Sequence, residues 1–210
     1  MDNKELFKSI VSQTITRPGI NELMTMLEAS DFFEAPASTI YHAAYPGGLC
    51  VHSINVFNNL VALANTFVPG RYSMETLAIV SLFHDIAKIN TYKMYNQAKK
   101  IYSPSGSKYD SIGRYDWTDV VSYKVAEKPL RYVAGTHGFN SYMRLKDYIK
   151  LDDEEIIAIM SHHGSADKEY IPNDLDEIYN RYTLALLLHQ ADMLACYINE
   201  RGQVLYEKDN

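Results

Sequence analysis

His84 and Asp85 stand side by side at the end of the apolar run "ETLAIVSLF", and His162 and His163 close a second apolar run, "IIAIMS", just before Gly164. His52 falls inside a third, "GGLCVHSINVFNNLVALANTF", and Asp192 interrupts a fourth, "LLLHQADMLACY". An imidazole buried without a partner costs about 1–3 kcal/mol, and a lone buried carboxylate costs more. Four apolar segments each carry a group that should not be buried alone. The economical solution is convergence on metal. Imidazole and carboxylate together suit Mn, Fe, Co, Ni or Zn, with Mg also admitted, and no thiolate is offered. On a helix, residues 84 and 85 point about 100° apart, so both reach one ion only from near a helix end. Lys88, four residues after His84, returns to roughly the same face. There it can meet a phosphate oxygen, although a lysine closing a helix also complements the dipole.

The elements that must position these groups read as helices. "NKELFKSIVSQTI" and "PGINELMTMLEAS" repeat apolar residues every three to four positions, with Pro18 placed to open the second. The segment after "PGG" is apolar on nearly every face and is expected to be a central buried helix. Ser73 is a cap for "METLAIVSLF", and Asp152 with Glu155 resembles a capping box for the helix ending at His162–His163. Residues 95–128 differ, being rich in Gly, Ser, Tyr and Lys, and short alternating runs such as "WTDVVSYKV" predict a β-hairpin or two with turns at 104–106. The expected class is all-α with a small β-hairpin insertion, in one domain over 1–210 with N-terminal helices in 1–38. The insertion, beginning one turn after Lys88, is expected to shape the pocket, and Lys99, Lys100 and Lys108 are candidates for reading phosphate.

A net charge of −6 argues against a surface built to embrace nucleic acid without specificity, yet leaves room for a nucleotide substrate. Cys50 and Cys196 belong to no C-x-x-C and fit reduced core thiols. The chain shows neither a signal-peptide pattern nor an apolar stretch of about 18 residues, so a cytoplasmic protein without a membrane partner is expected.

The order His52, then His84–Asp85, then Asp192, all on helices, resembles the HD-domain superfamily of metal-dependent phosphohydrolases. The phrases "YHAAYPGGLCVHSINV", "HDIAKI", "GTHGFNSYMRLKDYIKLDDEEIIAIMSHHG" and "LLLHQADMLACY" are similar to small single-domain bacterial and phage members and to the HD portion of YhaM-type exoribonucleases, over roughly residues 40–200. "GRYDW" in the insertion is similar to those small proteins too. The resemblance implies an HD-type helical bundle with His52, His84, Asp85 and Asp192 as ligands of one metal. In the two-metal branch, which includes the HD-GYP phosphodiesterases, His137 and the pair His162–His163 would complete a second site, with Asp85 bridging. Lys88 matches the lysine that often follows the HD pair. There are departures. No GYP signature follows His163, no OB-fold precedes residue 40, and Gly48 stands where some HD-GYP members carry a carboxylate.

The implied function is a phosphohydrolase that uses a metal-bound hydroxide, with two divalent cations per chain, to cleave a phosphate ester or anhydride of a nucleotide-like substrate. Asp85 and Lys88 are the expected catalytic residues. Lys88, Tyr45 and His42 are the expected substrate contacts, with Tyr41 and Tyr92 also flanking the motifs, and His42 and His189 are candidate proton donors. The partner is a small phosphorylated molecule or, at most, a short oligonucleotide. The rival reading is a non-catalytic metal- or nucleotide-binding sensor on the same fold.

Overall fold

The computed structural model describes residues 2–126, 135–166 and 175–200. Asp2 caps α1 (Asn3–Thr14), its carboxylate accepting from Lys4 N. Gly19, in the left-handed region at φ +91°, begins α2 (Ile20–Ala29), so Pro18 stands one residue before the cap rather than inside the helix. Next come α3 (Gly48–Phe67) and α4 (Met74–Phe83), the latter capped by Ser73, whose Oγ accepts from Thr76 N. The chain after α4 tightens into a 3-10 turn at Ile86–Lys88. Thr136 caps α5 (His137–Leu145), and Asp152 and Glu155 form a complete capping box on α6 (Asp153–Ser161). Finally α7 (Leu175–Arg181) leads to α8 (Thr183–Leu194), which runs on into a π-helical turn, Ala195–Asn199.

Four helices surround the site because their sequences leave little polar surface. Every residue of α4 from Leu77 to Phe83 is buried, and α3 buries Leu49, Ile54, Val56 and Leu60. α3 packs on α4 and α8, and α6 packs on α8 and α4. Phe7 of α1 joins the same core, its ring edge-on to Phe32 and Phe83 at centroid distances of 5.1 and 6.0 Å. Two glycines permit close backbone approach near the site. A Cβ at Gly48 would stand 1.9 Å from the Ala43 carbonyl oxygen, and one at Gly138 would stand 2.5 Å from that of Met160. Arg17 ties the N-terminal helices to α6 through two hydrogen bonds to the fully buried Glu155 carboxylate, at 2.5 and 3.0 Å.

The all-α class is wrong. The described residues are mixed, 54% helical and 14% strand with a three-stranded antiparallel sheet, and a helical bundle carrying a small β insertion is compatible with them. β1 (Tyr92–Tyr102) and β3 (Arg114–Val125) pair antiparallel along their whole length, from Tyr92 opposite Val125 to Tyr102 opposite Tyr115. β2 (Lys108–Tyr109) adds a third strand on the far edge of β3. The reason is local chemistry: aromatic and β-branched residues sit opposite one another, Tyr102 facing Tyr115 and Tyr92 facing Val125, and such pairs favour strands. Lys100 lies over the Tyr115 ring at 4.3 Å and pairs with Asp110 at 2.5 Å, which closes the tip. The ribbon begins three residues earlier than position 95, and positions 127–128 of the expected insertion lie outside the described residues.

Near its base the ribbon is covered, Ser122, Tyr123 and Ala126 being buried, while Met94, Trp117 and Val121 stay exposed. Lys99 and Lys100 stand about 25 Å along the strand from Tyr92 at ~3.3 Å per residue. They do not line the centre described next, whereas Tyr92, at the base, lies close enough for its phenol and the Lys88 ammonium to influence one another.

Candidate metal centre

The convergence begins at helix ends. His84 follows the last residue of α4 and His162 follows the last residue of α6, and both use the same local device. The Nδ1–H of His84 donates to Ser81 O at 2.7 Å, and that of His162 donates to Ile159 O at 2.6 Å. Each ring thus satisfies a carbonyl left open at its own helix terminus and turns Nε2 inward. His52, in the second turn of α3, donates from Nδ1 to Glu200 Oε1 at 3.1 Å and likewise faces Nε2 inward. His137 opens α5, and its ring lies parallel to that of His163 with centroids 4.9 Å apart.

At the centre, His52 Nε2 is 3.2 Å from His84 Nε2, 3.1 Å from Asp192 Oδ1 and 3.5 Å from Asp85 Oδ2. His84 Nε2 is also 3.5 Å from Asp85 Oδ2. The other oxygen of Asp85 looks the opposite way, with His137 Nε2 hydrogen-bonded to Oδ1 and His162 Nε2 at 3.5 Å from it. One carboxylate therefore faces two sets of histidines, one with each oxygen. His52, His84, Asp85, His162 and Asp192 are all buried. The ligand-type atoms of Asp85, His137, His162 and His163 lie within 4.8 Å of one another, as do those of His52, His84 and Asp85, and those of His84, His162 and Asp192.

Burial and neighbouring charge set the protonation states. Burial alone would raise the carboxyls of Asp85 and Asp192. The Lys88 ammonium and the histidines hold Asp85 well below the usual range, and His52 does the same for Asp192. Burial would lower His52, but hydrogen bonds to Asp192 and Glu200 push it up to about 9. Burial carries His84 down to about 3 and His137 down to about 4. His162 is raised, the Asp85 carboxylate outweighing its burial.

These residues fit metal ions. Ligand atoms that share one ion at about 2.1 Å stand about 3.0–3.4 Å apart, close to the 3.1–3.5 Å separations found here. His162 Nε2 is buried with no hydrogen-bond partner. His52 and His84 turn ring nitrogens toward each other after tying off both Nδ1 atoms, an arrangement that calls for a shared cation or proton. The buried His/Asp clusters can hold metal ions.

The structure brings together seven residues singled out from the sequence: His52, His84, Asp85, His137, His162, His163 and Asp192. Lys88 joins them differently from the helical expectation. Because the chain has left the α-helix, its ammonium pairs with Asp85 Oδ2 at 2.5 Å rather than lying over His84. His42 stacks beside His52 with ring centroids 4.8 Å apart; burial, with His52 and Lys88 nearby, lowers it to about 4, so it is neutral at pH 7. His189 is engaged in support, donating from Nδ1 to His162 O at 2.6 Å. Tyr41 is exposed, and Tyr45 lines a surface cleft with Asp2, Lys4 and Glu34, beside Cys50.

Two participants were not singled out in the sequence. Glu200 reaches His52 after the π turn, which no periodicity announces, and Cys196 lies four residues after Asp192 with its Sγ 3.5 Å from Asp192 Oδ1. Burial and the Asp192 charge drive the Cys196 sulfur far up, so it stays a thiol. Among the described residues, no helix is long and apolar enough to cross a membrane. No family model, curated protein or solved structure matches this chain.

Proposed function

We propose that this protein is a metal-dependent phosphohydrolase acting on a nucleotide-like phosphate ester or anhydride. The observation that carries the reading is the split Asp85 carboxylate, one oxygen toward His52 and His84 and the other toward His137 and His162, with Lys88 alongside. In this reading His52, His84, Asp85 and Asp192 hold one divalent cation, and Asp85, His137, His162 and His163 hold a second. Mn, Fe, Co, Ni and Zn suit the nitrogen and oxygen donors. When bound, such cations polarise a phosphoryl oxygen and make water a better nucleophile near neutral pH. The order of His52, His84–Asp85 and Asp192 along the helices, and its resemblance to the HD-domain superfamily, support the same assignment.

The chain's own side chains do the remaining work. Asp85 keeps both halves of the centre at one spacing. Lys88 is buried, and Asp85 raises its pKa against the effect of burial, so it remains an ammonium that can donate to a phosphoryl oxygen as charge builds there. His42, neutral at pH 7, does not serve as an imidazolium donor; it offers a hydrogen bond to substrate instead. Tyr92, beside Lys88, borders the same spot.

The test is metal content per chain after chelator-free purification, followed by a substrate panel with added Mn. The panel comprises nucleoside mono-, di- and triphosphates, a generic phosphodiester and short RNA. Metal near two per chain, with turnover lost in His84→Ala and Asp85→Ala, is the expected result. Metal without turnover on any member would favour a binding or sensor protein, and absence of metal would remove the basis of the reading.

A further inference from the structure

Asp192 and Glu200 lie eight residues apart, yet they hold the two nitrogens of one imidazole. Asp192 Oδ1 sits 3.1 Å from His52 Nε2, and Glu200 Oε1 accepts from His52 Nδ1 at 3.1 Å. A regular α-helix does not do this, because eight residues advance about 12 Å and leave the second side chain about 80° around the axis. The π turn at Ala195–Asn199 changes the path, and Glu200 N closes it on Ala195 O at 3.0 Å. A ladder on α3 fastens it. Asn59 Nδ2 donates to Ala191 O at 3.1 Å and to Asn199 Oδ1 at 2.8 Å. One turn nearer the site, Asn55 Nδ2 donates to Glu200 Oε1 at 3.0 Å. His52, Asn55 and Asn59 occupy one stripe of the helix at positions i, i+3 and i+7.

Glu200 is 1% exposed and its Oε2 has no hydrogen-bond partner, although it belongs to none of the clustered ligand groups. A buried carboxylate left half-paired is expensive unless a positive partner answers it. We propose that Glu200 is the positioning residue of the metal centre. It fixes His52 as an Nδ1–H imidazole whose Nε2 lone pair faces the ion, and makes that nitrogen a stronger donor. This rests on the metal-centre reading above, and it adds a residue beyond the ligands themselves. The π turn, with its Asn55 and Asn59 ladder, is the device that delivers the carboxylate.

The experiment titrates chelator-stripped protein with Zn²⁺ alone by calorimetry, comparing wild type with Glu200→Ala, Glu200→Gln, Asn59→Ala and His84→Ala. Glu200→Ala should weaken Zn²⁺ binding about 10–100-fold. Glu200→Gln keeps an oxygen that accepts from Nδ1–H, so its affinity should fall between the two. Asn59→Ala should lower the melting temperature while losing far less affinity than Glu200→Ala. The ¹⁵N spectrum of zinc-loaded wild type should show His52 protonated at Nδ1, with that signal altered in Glu200→Ala. Wild-type affinity in Glu200→Ala, where His84→Ala has lost binding, overturns this proposal and leaves the metal centre standing. Undiminished binding in His84→Ala sinks both. If Glu200→Ala fails to fold, Glu200→Gln decides: wild-type affinity and an unshifted His52 signal would overturn the proposal.

Discussion

His52 and His84 meet nitrogen to nitrogen at 3.2 Å, each with its other ring nitrogen already committed, to Glu200 and to Ser81 O respectively. Two neutral imidazoles in this pose would oppose lone pair to lone pair. A proton on His52, whose pKa Asp192 and Glu200 raise against burial to about 9, therefore occupies a place suited to a cation.

Metal uptake should release that proton. Below pH 9 the metal-free centre holds it, and an ion must displace it, so apparent affinity should climb as pH rises toward 9. One displaced proton corresponds to about tenfold per pH unit. Calorimetry in two buffers of different ionisation enthalpy gives the number released. A heat independent of buffer at pH 7 would contradict the prediction.

The metal-free protein should weaken in acid. Burial holds His42 and His137 near 4 and His84 near 3, whereas an unfolded chain binds these protons near 6.5. The unfolded state thus carries more protons below pH 6.5, and the stability these three confer above that value is lost as pH falls toward 4. His52 acts with the opposite sign: its contribution is complete below 6.5 and fades as pH rises through 9. Urea midpoints measured in chelator from pH 4.5 to 9.5 should fall on both sides of a maximum near pH 6.5–7.

Gly138→Ala should disturb the half of the centre that contains His137. The added methyl would stand 2.5 Å from the Met160 carbonyl oxygen, forcing α5 away from α6 just where His137 stacks on His163. Overpacking of this kind costs about 1–3 kcal/mol. Metal content should drop toward one ion per chain, because the His52 and His84 group lies on other helices. Full metal content with an unchanged melting temperature would count against this packing role.

Arg17→Ala should be among the more damaging changes far from the centre. It strands the Glu155 carboxylate, fully buried and otherwise hydrogen-bonded within its own capping box. Removing one partner of a buried pair costs about 3–5 kcal/mol. Arg17 is partly exposed, which admits water, so the lower end applies, and a melting temperature lowered by about 6–12 °C is expected. Calorimetric scans of both proteins measure this directly.

Much of the architecture was legible one segment at a time. The caps at Ser73 and Asp152, the buried α3 and six of the clustered residues, His52, His84, Asp85, His162, His163 and Asp192, follow from periodicity and from the cost of burying polar groups alone, whereas His137 is reached only through the resemblance to the HD-domain superfamily. The all-α class fails because the strands of the insertion are long enough to make the described residues a mixed α/β structure. Strand length depends on cross-strand pairs, and the ladder from Tyr92–Val125 to Tyr102–Tyr115 is continuous. Lys88 was placed by helical arithmetic that fails once the chain adopts a 3-10 turn.

Residue types and spacing by themselves determined that imidazoles and carboxylates would be buried at the ends of apolar helices, since transfer free energies act locally on each segment. Only the tertiary structure decided which way each oxygen and nitrogen faces. The split of Asp85 between two histidine sets depends on four helices packing at once. The grip of Asp192 and Glu200 on His52 depends further on a single π turn. No one-dimensional pattern encodes those contacts, because each is made between segments far apart in the chain.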